Sequence, residues 1–406
     1  MKIGILQDNF FPEGKGGAAL VAQNLALGLK ERGYDVFVVT STKKNDRLEE
    51  KDGLRTYYLK TKDFGFFKYY LCLYNHQIVG RVEEILKREK PDIVHAHNLN
   101  TALSYYCLKI AKKYASKVFL TAHDTMLLTY GKLATKGYLE NFDLKIKIID
   151  QIKQAGKQYN PWRNVLIRYY LKNVNKIFAI SKVLKNFLEA NGLKNVELIY
   201  NGINLQEFEI KDEEIIDFKK KYNLINKKII FWGGRLSQPK GGHQVLSALK
   251  IISQKKDNIV LLVAGVGEFY EEFFLSFAKQ LGVDKNILFL GNVDHEKMKD
   301  IYSASDVILY PSIYFDPFGL INIEAMACKK PVVGTCYGGT PEIVLDGETG
   351  YIVNPFDASL MAQKIIELFN NEEQAKQFGL NGLERVKKVF TLELQIRKTL
   401  DYYKLL

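Results

Sequence analysis

The sequence predicts an α/β protein of two domains, each a parallel sheet covered by helices. Three observations carry this. A chain of 406 residues is too long for one ordinary core and suits two domains of roughly 200 residues. Short apolar runs alternate with longer stretches of 3.6-residue period along the whole length, the pattern of strand, helix, strand in a parallel sheet. Those runs are almost continuously apolar, as strands buried on both faces must be.

In order, the strand candidates of the first half are KIGILQ, DVFVVT, DIVHAH, KVFLTAH, KIFAIS and VELIYN. Those of the second half are KIIFWGG, IVLLVAG, ILFLGNV, DVILYPS, PVVGTC and GYIV. Between them run helical stretches such as AALVAQNLALGLKERG, which closes on Gly33 as a C-terminal cap. The polar, acidic segment NGINLQEFEIKDEE reads as the crossing between domains, which places them at 1–203 and 204–388. Residues 389–406 read as a last helix returning to the first domain.

Composition excludes several classes. Hydrophobic content of 47% and charged content of 26% are those of a globular protein. No apolar run reaches the roughly 18 residues of a membrane-spanning helix, and the N-terminus reads as a buried strand and not as a signal peptide. Cys72, Cys107, Cys328 and Cys336 lack metal-type spacing, which fits a cytoplasmic setting with reduced thiols. The net charge of +12 is uneven: residues 1–203 hold 33 Lys/Arg against 19 Asp/Glu, the remainder 25 against 27. The excess of the first half points to an anionic partner, membrane lipid or nucleic acid, or to a generic basic face.

Ligands of open α/β sheets bind at the carboxyl ends of the strands, so the loops leaving strands are where chemistry is expected. In PEGKGGAAL, Gly16 and Gly17 clear the start of a helix for an anion; a plain glycine-rich turn is the competing reading. In GGRLSQPKGGHQVLSAL, Arg235 and Lys240 flank a loop after a strand, a pairing suited to a diphosphate. Gly265, Gly267, Gly291 and Val293 follow other strands, where a tight turn or close approach of backbone to a nucleobase would both fit. His123 ends KVFLTAH and either meets a hydroxyl group or is a core histidine, as do His95 and His97. FDPFGLINIE places Asp316 on an exit loop and Glu324 about a turn into the following helix. Gly319 and Leu320 lie at the start of that helix, where backbone N–H groups are free for phosphate. Carboxylates accept from hydroxyl pairs. Hydroxyls at both ends and phosphates between describe a nucleotide sugar.

The ordered set KGG, HAHN, TAHD, IYNGIN, GRLSQPKGG, PFGLINIEAMACKKPVVGT, GGTPEIV and GETGYIV resembles the retaining glycosyltransferases of family 4 over nearly the whole chain. The resemblance implies the GT-B fold, two Rossmann-like domains facing across a cleft with the C-terminal helix packed back on the first. It implies a nucleotide-diphosphate sugar (UDP- or GDP-linked) as donor and a hydroxyl acceptor. By the same resemblance, Gly16 and Gly17 lie near the donor diphosphate, which Arg235 and Lys240 neutralise. Phe318, Gly319 and Leu320 offer amides to phosphate and sugar, Glu324 binds the ribose, Val293 contacts the base, and His123 touches the sugar near C6. The family's first acid, which holds sugar hydroxyls near C3, is usually Glu and here is Asp316, one methylene shorter; the donor's identity does not carry over from relatives.

No bound metal or other cofactor is expected: the family needs none, and no D-x-D occurs in the chain. Charge on the leaving diphosphate would be met by cations and helix N-termini, and no carboxylate nucleophile of the glycosidase type is evident. Residues 141–182 hold nine Lys/Arg and only Asp143 and Asp150, with Tyr159, Trp162, Tyr169 and Tyr170 interleaved; FGFFKYYLCLYN adds an aromatic stretch. This composition fits peripheral docking on an anionic membrane and a lipid-linked or membrane-proximal acceptor, against the alternative of core aromatics and solvated lysines. No nucleic-acid module is visible. The competing functions are a nucleotide-sugar epimerase or phosphorylase on the same architecture, and a non-catalytic sugar-nucleotide binder.

Overall fold

The computed structural model describes residues 1–14, 16–62, 65–234, 236–265, 267 and 270–405. The chain divides into two compact units, Met1–Gly202 with Leu392–Leu406, and Ile203–Thr391.

The first unit is built on β1 (Lys2–Gln7), β2 (Asp35–Thr42), β3 (Arg47–Lys51), β4 (Leu54–Lys60), β5 (Ile93–Ala96), β6 (Lys117–Ala122), β7 (Lys176–Ala179) and β8 (Val196–Leu198). They pair in the order β3-β4-β2-β1-β5-β6-β7-β8. Every neighbouring pair is parallel except β3 and β4. Ile3, Ile5, Val38, Val94, Val118 and Phe119 are fully buried, which explains the continuous apolar runs. Consecutive strands step outward from β1 to β2 and then resume at β5 on the other side of β1. The loops after β1 and β5 therefore leave the sheet where its winding reverses.

The hairpin of β3 and β4 departs from the sequence expectation, which holds no strand there. RLEEK is a charged, mostly exposed edge strand, so the apolar signal is missing. Its turn carries the cue instead: Asp52 and Gly53 both have positive φ (52° and 63°), the conformation of a two-residue hairpin turn. The twelve strand candidates themselves all form strands.

Helix α1 (Gly17–Glu31) buries Ala19, Ala22, Leu25, Ala26 and Leu29, residues three and four apart on one face. The C-terminal helix Leu392–Leu405 lies against it. Gly28 allows the approach, since a Cβ there would fall 2.2 Å from the Ile396 Cδ1. Ile396, Leu400 and Tyr403 complete one core with Ile3, Ile5, Leu25, Leu29, Phe119 and Phe178. An Arg32–Glu393 ion pair and the Lys117 ammonium on the Tyr403 carbonyl (2.7 Å) fasten its rim.

The second unit holds β9 (Lys228–Gly233), β10 (Ile259–Ala264), β11 (Ile287–Gly291), β12 (Val307–Tyr310), β13 (Val332–Thr335) and β14 (Gly350–Val353). The order is β11-β10-β9-β12-β13-β14, and all neighbours are parallel. Here the winding reverses between β9 and β12. Helix α2 (Gly242–Ser253) follows the β9 exit loop, and helix α3 (Leu320–Ala327) follows the β12 exit loop.

Ile396 is 1% exposed and fills the last gap in the first core. Ile396→Ala should therefore cost about 2–5 kcal/mol in urea unfolding, whereas Leu405→Ala, at a residue 77% exposed, should change stability by less than about 0.5 kcal/mol.

Candidate active site

The β9 and β12 exits bring four side chains together. Lys240 ends a short 3-10 turn, Gln238–Lys240, just ahead of α2. Tyr310 is the last residue of β12, and Tyr314 and Asp316 stand on the loop that follows. The Asp316 Oδ2 accepts from the Lys240 Nζ at 2.6 Å, from the Tyr310 hydroxyl at 2.5 Å and from the Tyr314 hydroxyl at 2.6 Å. Lys240 also donates to the Tyr310 oxygen at 2.9 Å. The Asp316 backbone is held as firmly: its carbonyl accepts from the Gly339 N–H at 2.8 Å. Gly338 makes this possible, because its φ of 64° and the 2.0 Å from a Cβ to the Asp316 carbonyl oxygen exclude a side chain.

Asp316 is buried and Lys240 largely so, and each charge makes the other tolerable. Burial alone would raise the Asp316 carboxyl; the Lys240 ammonium and the three donors outweigh it and hold the carboxyl at about 2. Burial would strip the proton from Lys240, but the Asp316 carboxylate keeps that proton well above the ordinary lysine range. The Tyr310 and Tyr314 hydroxyls are pushed up by burial and by the same carboxylate, so they remain donors. All three donors converge on Oδ2. Oδ1 accepts from no side chain or backbone N–H among the described residues, and so is the oxygen with capacity for a ligand hydroxyl.

Four residues beyond the start of α3, the second carboxylate has the same construction. Glu324 is 4% exposed, and its Oε2 accepts from the Tyr302 hydroxyl at 2.5 Å. Its Oε1 lies 3.4 Å from the His295 Nε2. Tyr302 belongs to the helix Met298–Ala304, and His295 opens the 3-10 turn His295–Lys297 after β11. Between the acids, Gly319 caps α3 and Leu320 begins it. The N–H groups of Leu320 and Ile321 belong to the first turn, which has no intrahelical acceptors for them. Phe318 is buried against Phe390 (ring centroids 5.8 Å), so its contribution to a ligand is its backbone. Val293 is half-buried on the loop two residues ahead of His295.

The remaining candidates belong to the first unit. Gly16, with φ of 122°, caps α1, and Gly17 is its exposed first residue; a Cβ on Gly16 would meet no atom within 4 Å. Asp8, the residue after β1, accepts from the N–H groups of Thr101, Ala102 and Leu103 and from the Thr101 hydroxyl. This ties the two loops at the reversal point of the sheet. His123 follows β6 with its Nε2 2.8 Å from the His97 Nδ1, while His95 lies between the Tyr403 hydroxyl (2.6 Å) and the Thr121 hydroxyl (2.8 Å). Burial lowers His95 and His123 to about 3 and holds His97 well below the ordinary histidine range. At neutral pH all three are uncharged hydrogen-bonding rings.

Of the residues singled out in the sequence, Lys240 and Asp316 are thus in direct contact. Phe318, Gly319, Leu320 and Glu324 share the entry of α3. His123 is paired with His97, another of the histidines singled out in the sequence. Arg235 lies outside the described residues. Tyr302, Tyr310, Tyr314 and His295 are absent from the sequence reading, since nothing in a strand-ending tyrosine or a loop histidine announces which carboxylate it will meet. Among the described residues, no group of three or more His, Cys, Asp or Glu is arranged to hold a metal ion. No helix among them is long and apolar enough to cross a membrane.

Two Rossmann-like units in one chain, each with its own parallel sheet, define the GT-B class of α/β proteins. Over 99% of this chain and 98% of the other, the fold superposes on sucrose-phosphate synthase from Thermosynechococcus elongatus with a TM-score of 0.81 at 21% identity. HepE from Anabaena, solved in complex with UDP-glucose, superposes over 100% of both chains with a TM-score of 0.74 at 18% identity. In sequence, the chain is 27% identical over 384 residues to the N-acetyl-alpha-D-glucosaminyl L-malate synthase of Bacillus anthracis, covering 93% of this chain and 91% of that protein. Family models match both units, Glycosyltransferase Family 4 at residues 15–207 and Glycosyl transferases group 1 at residues 214–385. The chain belongs to glycosyltransferase family 4 and is a transferase of the GT-B type.

Removing one charge of the buried pair strands the other. Asp316→Asn should cost about 3 kcal/mol in urea unfolding, and adding Lys240→Met should recover most of that loss, because an apolar chain of similar length needs no partner.

Proposed function

We propose that the chain is a retaining, metal-independent hexosyltransferase that moves a sugar from a nucleoside diphosphate to a hydroxyl acceptor. One observation carries this reading: two carboxylates flank the N-terminus of α3, each with one oxygen held by a tyrosine and the other turned, among the described residues, to a weaker partner or none. Acceptors on both sides of a helix N-terminus suit a ligand with hydroxyls at either end and phosphates between. The UDP-glucose complex of the structural neighbour HepE supports a donor of this type.

In the reaction, the bond from the sugar C1 to the leaving phosphate oxygen breaks while a bond from C1 to the acceptor oxygen forms on the same face. The acceptor's proton passes to the departing phosphate. The Asp316 Oδ1 orients the sugar hydroxyls, and Glu324 holds the ribose. The first-turn amides of α3, with Lys240 and Arg235, meet the charge that develops on the diphosphate. Lys240 acts through its field, since its ammonium is already bound to Asp316.

A membrane-proximal acceptor is part of the proposal. Phe66, Phe67, Tyr70 and Tyr74 are exposed, as are Ile148, Ile149, Ile152, Trp162, Val165 and Tyr169. Tyr106 links the two stretches, with ring centroids 4.9 Å from Tyr74 and 5.7 Å from Tyr170. Large apolar side chains among lysines fit the interface of an anionic bilayer.

Differential scanning fluorimetry with UDP-, GDP- and ADP-sugars should find one that stabilises the protein, and Glu324→Ala should weaken its binding roughly a hundredfold, the loss of about 3 kcal/mol from charged hydrogen bonds. Unchanged affinity in that variant would overturn the donor site. Sedimentation with phosphatidylglycerol vesicles at low salt should carry the protein down, and Ile149→Ser with Trp162→Ser should leave it in the supernatant; a wild-type protein that stays in solution refutes the membrane reading.

A further inference from the structure

Among the described residues, the two oxygens of Glu324 have two partners of very different quality. The Tyr302 hydroxyl is fully buried and donates to Oε2 at 2.5 Å. His295 reaches Oε1 across 3.4 Å, at the long end of hydrogen bonding, from a short turn whose side chain keeps 29% of its exposure. A hydroxyl arriving at Glu324 therefore finds one oxygen firmly held and one loosely held. The loosely held one is on the His295 side, next to the loop that carries Val293.

We propose that His295 is the exchangeable partner of the nucleotide clamp: a ribose hydroxyl takes over the Glu324 Oε1, and His295 then gives its proton to solvent. This rests on the reading of Glu324 as the ribose-binding acid. In the exchange the N–H···Oε1 contact is lost, an O–H···Oε1 contact forms, and the proton on the imidazole passes to water or buffer. The carboxylate stays ionised throughout.

The surroundings fix the sign. The hydrogen bond to Glu324 raises the His295 proton affinity, burial opposes it, and the fields of Glu324, Glu207 and Glu296 add to the rise. Glu324 comes from α3, Glu207 from the 3-10 turn Leu205–Phe208, and Glu296 from the turn of His295 itself. The Phe208 ring meets the imidazole edge-on at 6.2 Å and brings no charge. Exchange removes the largest of the favourable contacts, the hydrogen bond to Glu324, and leaves the fields of Glu324, Glu207 and Glu296, so the proton affinity falls on binding. A group that binds its proton more weakly in the complex makes the complex tighter as pH rises through its free-protein titration.

Nucleotide sugars suit the test because both phosphates are esterified and neither titrates near neutrality. UDP-glucose, GDP-glucose and ADP-glucose would be titrated calorimetrically into the full chain at pH 7, in Pipes and in Tris. For the sugar that binds, the wild-type enthalpy should differ between the buffers in the sense of proton release. Its Kd should tighten as pH is raised from 6 to 8, by up to about tenfold for each unit separating the free and bound pKa values. In His295→Gln, whose folding is checked by thermal unfolding, binding should persist with a buffer-independent enthalpy and a flat pH profile. Binding without proton release in the wild type, or equal release in His295→Gln, overturns the His295 assignment and leaves the donor site standing. Absence of binding by all three sugars overturns both.

Discussion

The buried contact between Lys240 and Asp316 is the constraint around which the second unit is arranged. Two full charges removed from water are tolerable only in good geometry with their remaining capacity satisfied. The structure meets that demand by ending β9 and β12 side by side, so that one exit loop brings the ammonium and the other the carboxylate. Tyr310 and Tyr314 then complete the shell. The same requirement dictates the backbone: the Asp316 carbonyl must lie under Gly338 and accept from Gly339, which fixes where the loop can turn into α3.

A second regularity concerns the two acids. Each is anchored by a tyrosine hydroxyl through one oxygen, Tyr310 and Tyr314 to Oδ2 of Asp316 and Tyr302 to Oε2 of Glu324. A tyrosine is a suitable anchor because its ring fills the core while its hydroxyl offers a single directed donor. The carboxylate is thus oriented without being used up. The short side chain of Asp316 keeps its carboxylate near the strand end, where the Tyr310 and Tyr314 hydroxyls reach it.

The parallel strands are legible in the sequence because burial on both faces leaves unbroken apolar runs, bounded by Gly, Pro and Asp where the chain turns. The β3–β4 hairpin is not, because an exposed edge strand such as RLEEK needs charge and not hydrophobicity. In the site, the entry of α3 is readable from Pro317, Gly319 and the spacing to Glu324, all local features. The hydroxyls of Tyr302 and Tyr310 are hidden among apolar residues of a helix and a strand, since the identity of their acceptors is decided by which elements pack together. His295 is illegible for the same reason: it comes from a turn 29 residues before Glu324.

The C-terminal helix has a consequence for how the protein is made. Leu392–Leu405 supplies Ile396, Leu400 and Tyr403 to a core whose other buried members lie between Ile3 and Ile199, and Tyr403 reaches His95 across 308 residues of sequence. The second unit, Ile203–Thr391, is continuous and can close as soon as it has left the ribosome. The first unit emerges earlier yet waits, with α1 uncovered along the face around Gly28, until residues 392–405 have been made. The order of synthesis and the order of completion are therefore opposite, and the half-finished first unit presents an apolar surface that chaperones would engage while the second unit is being made.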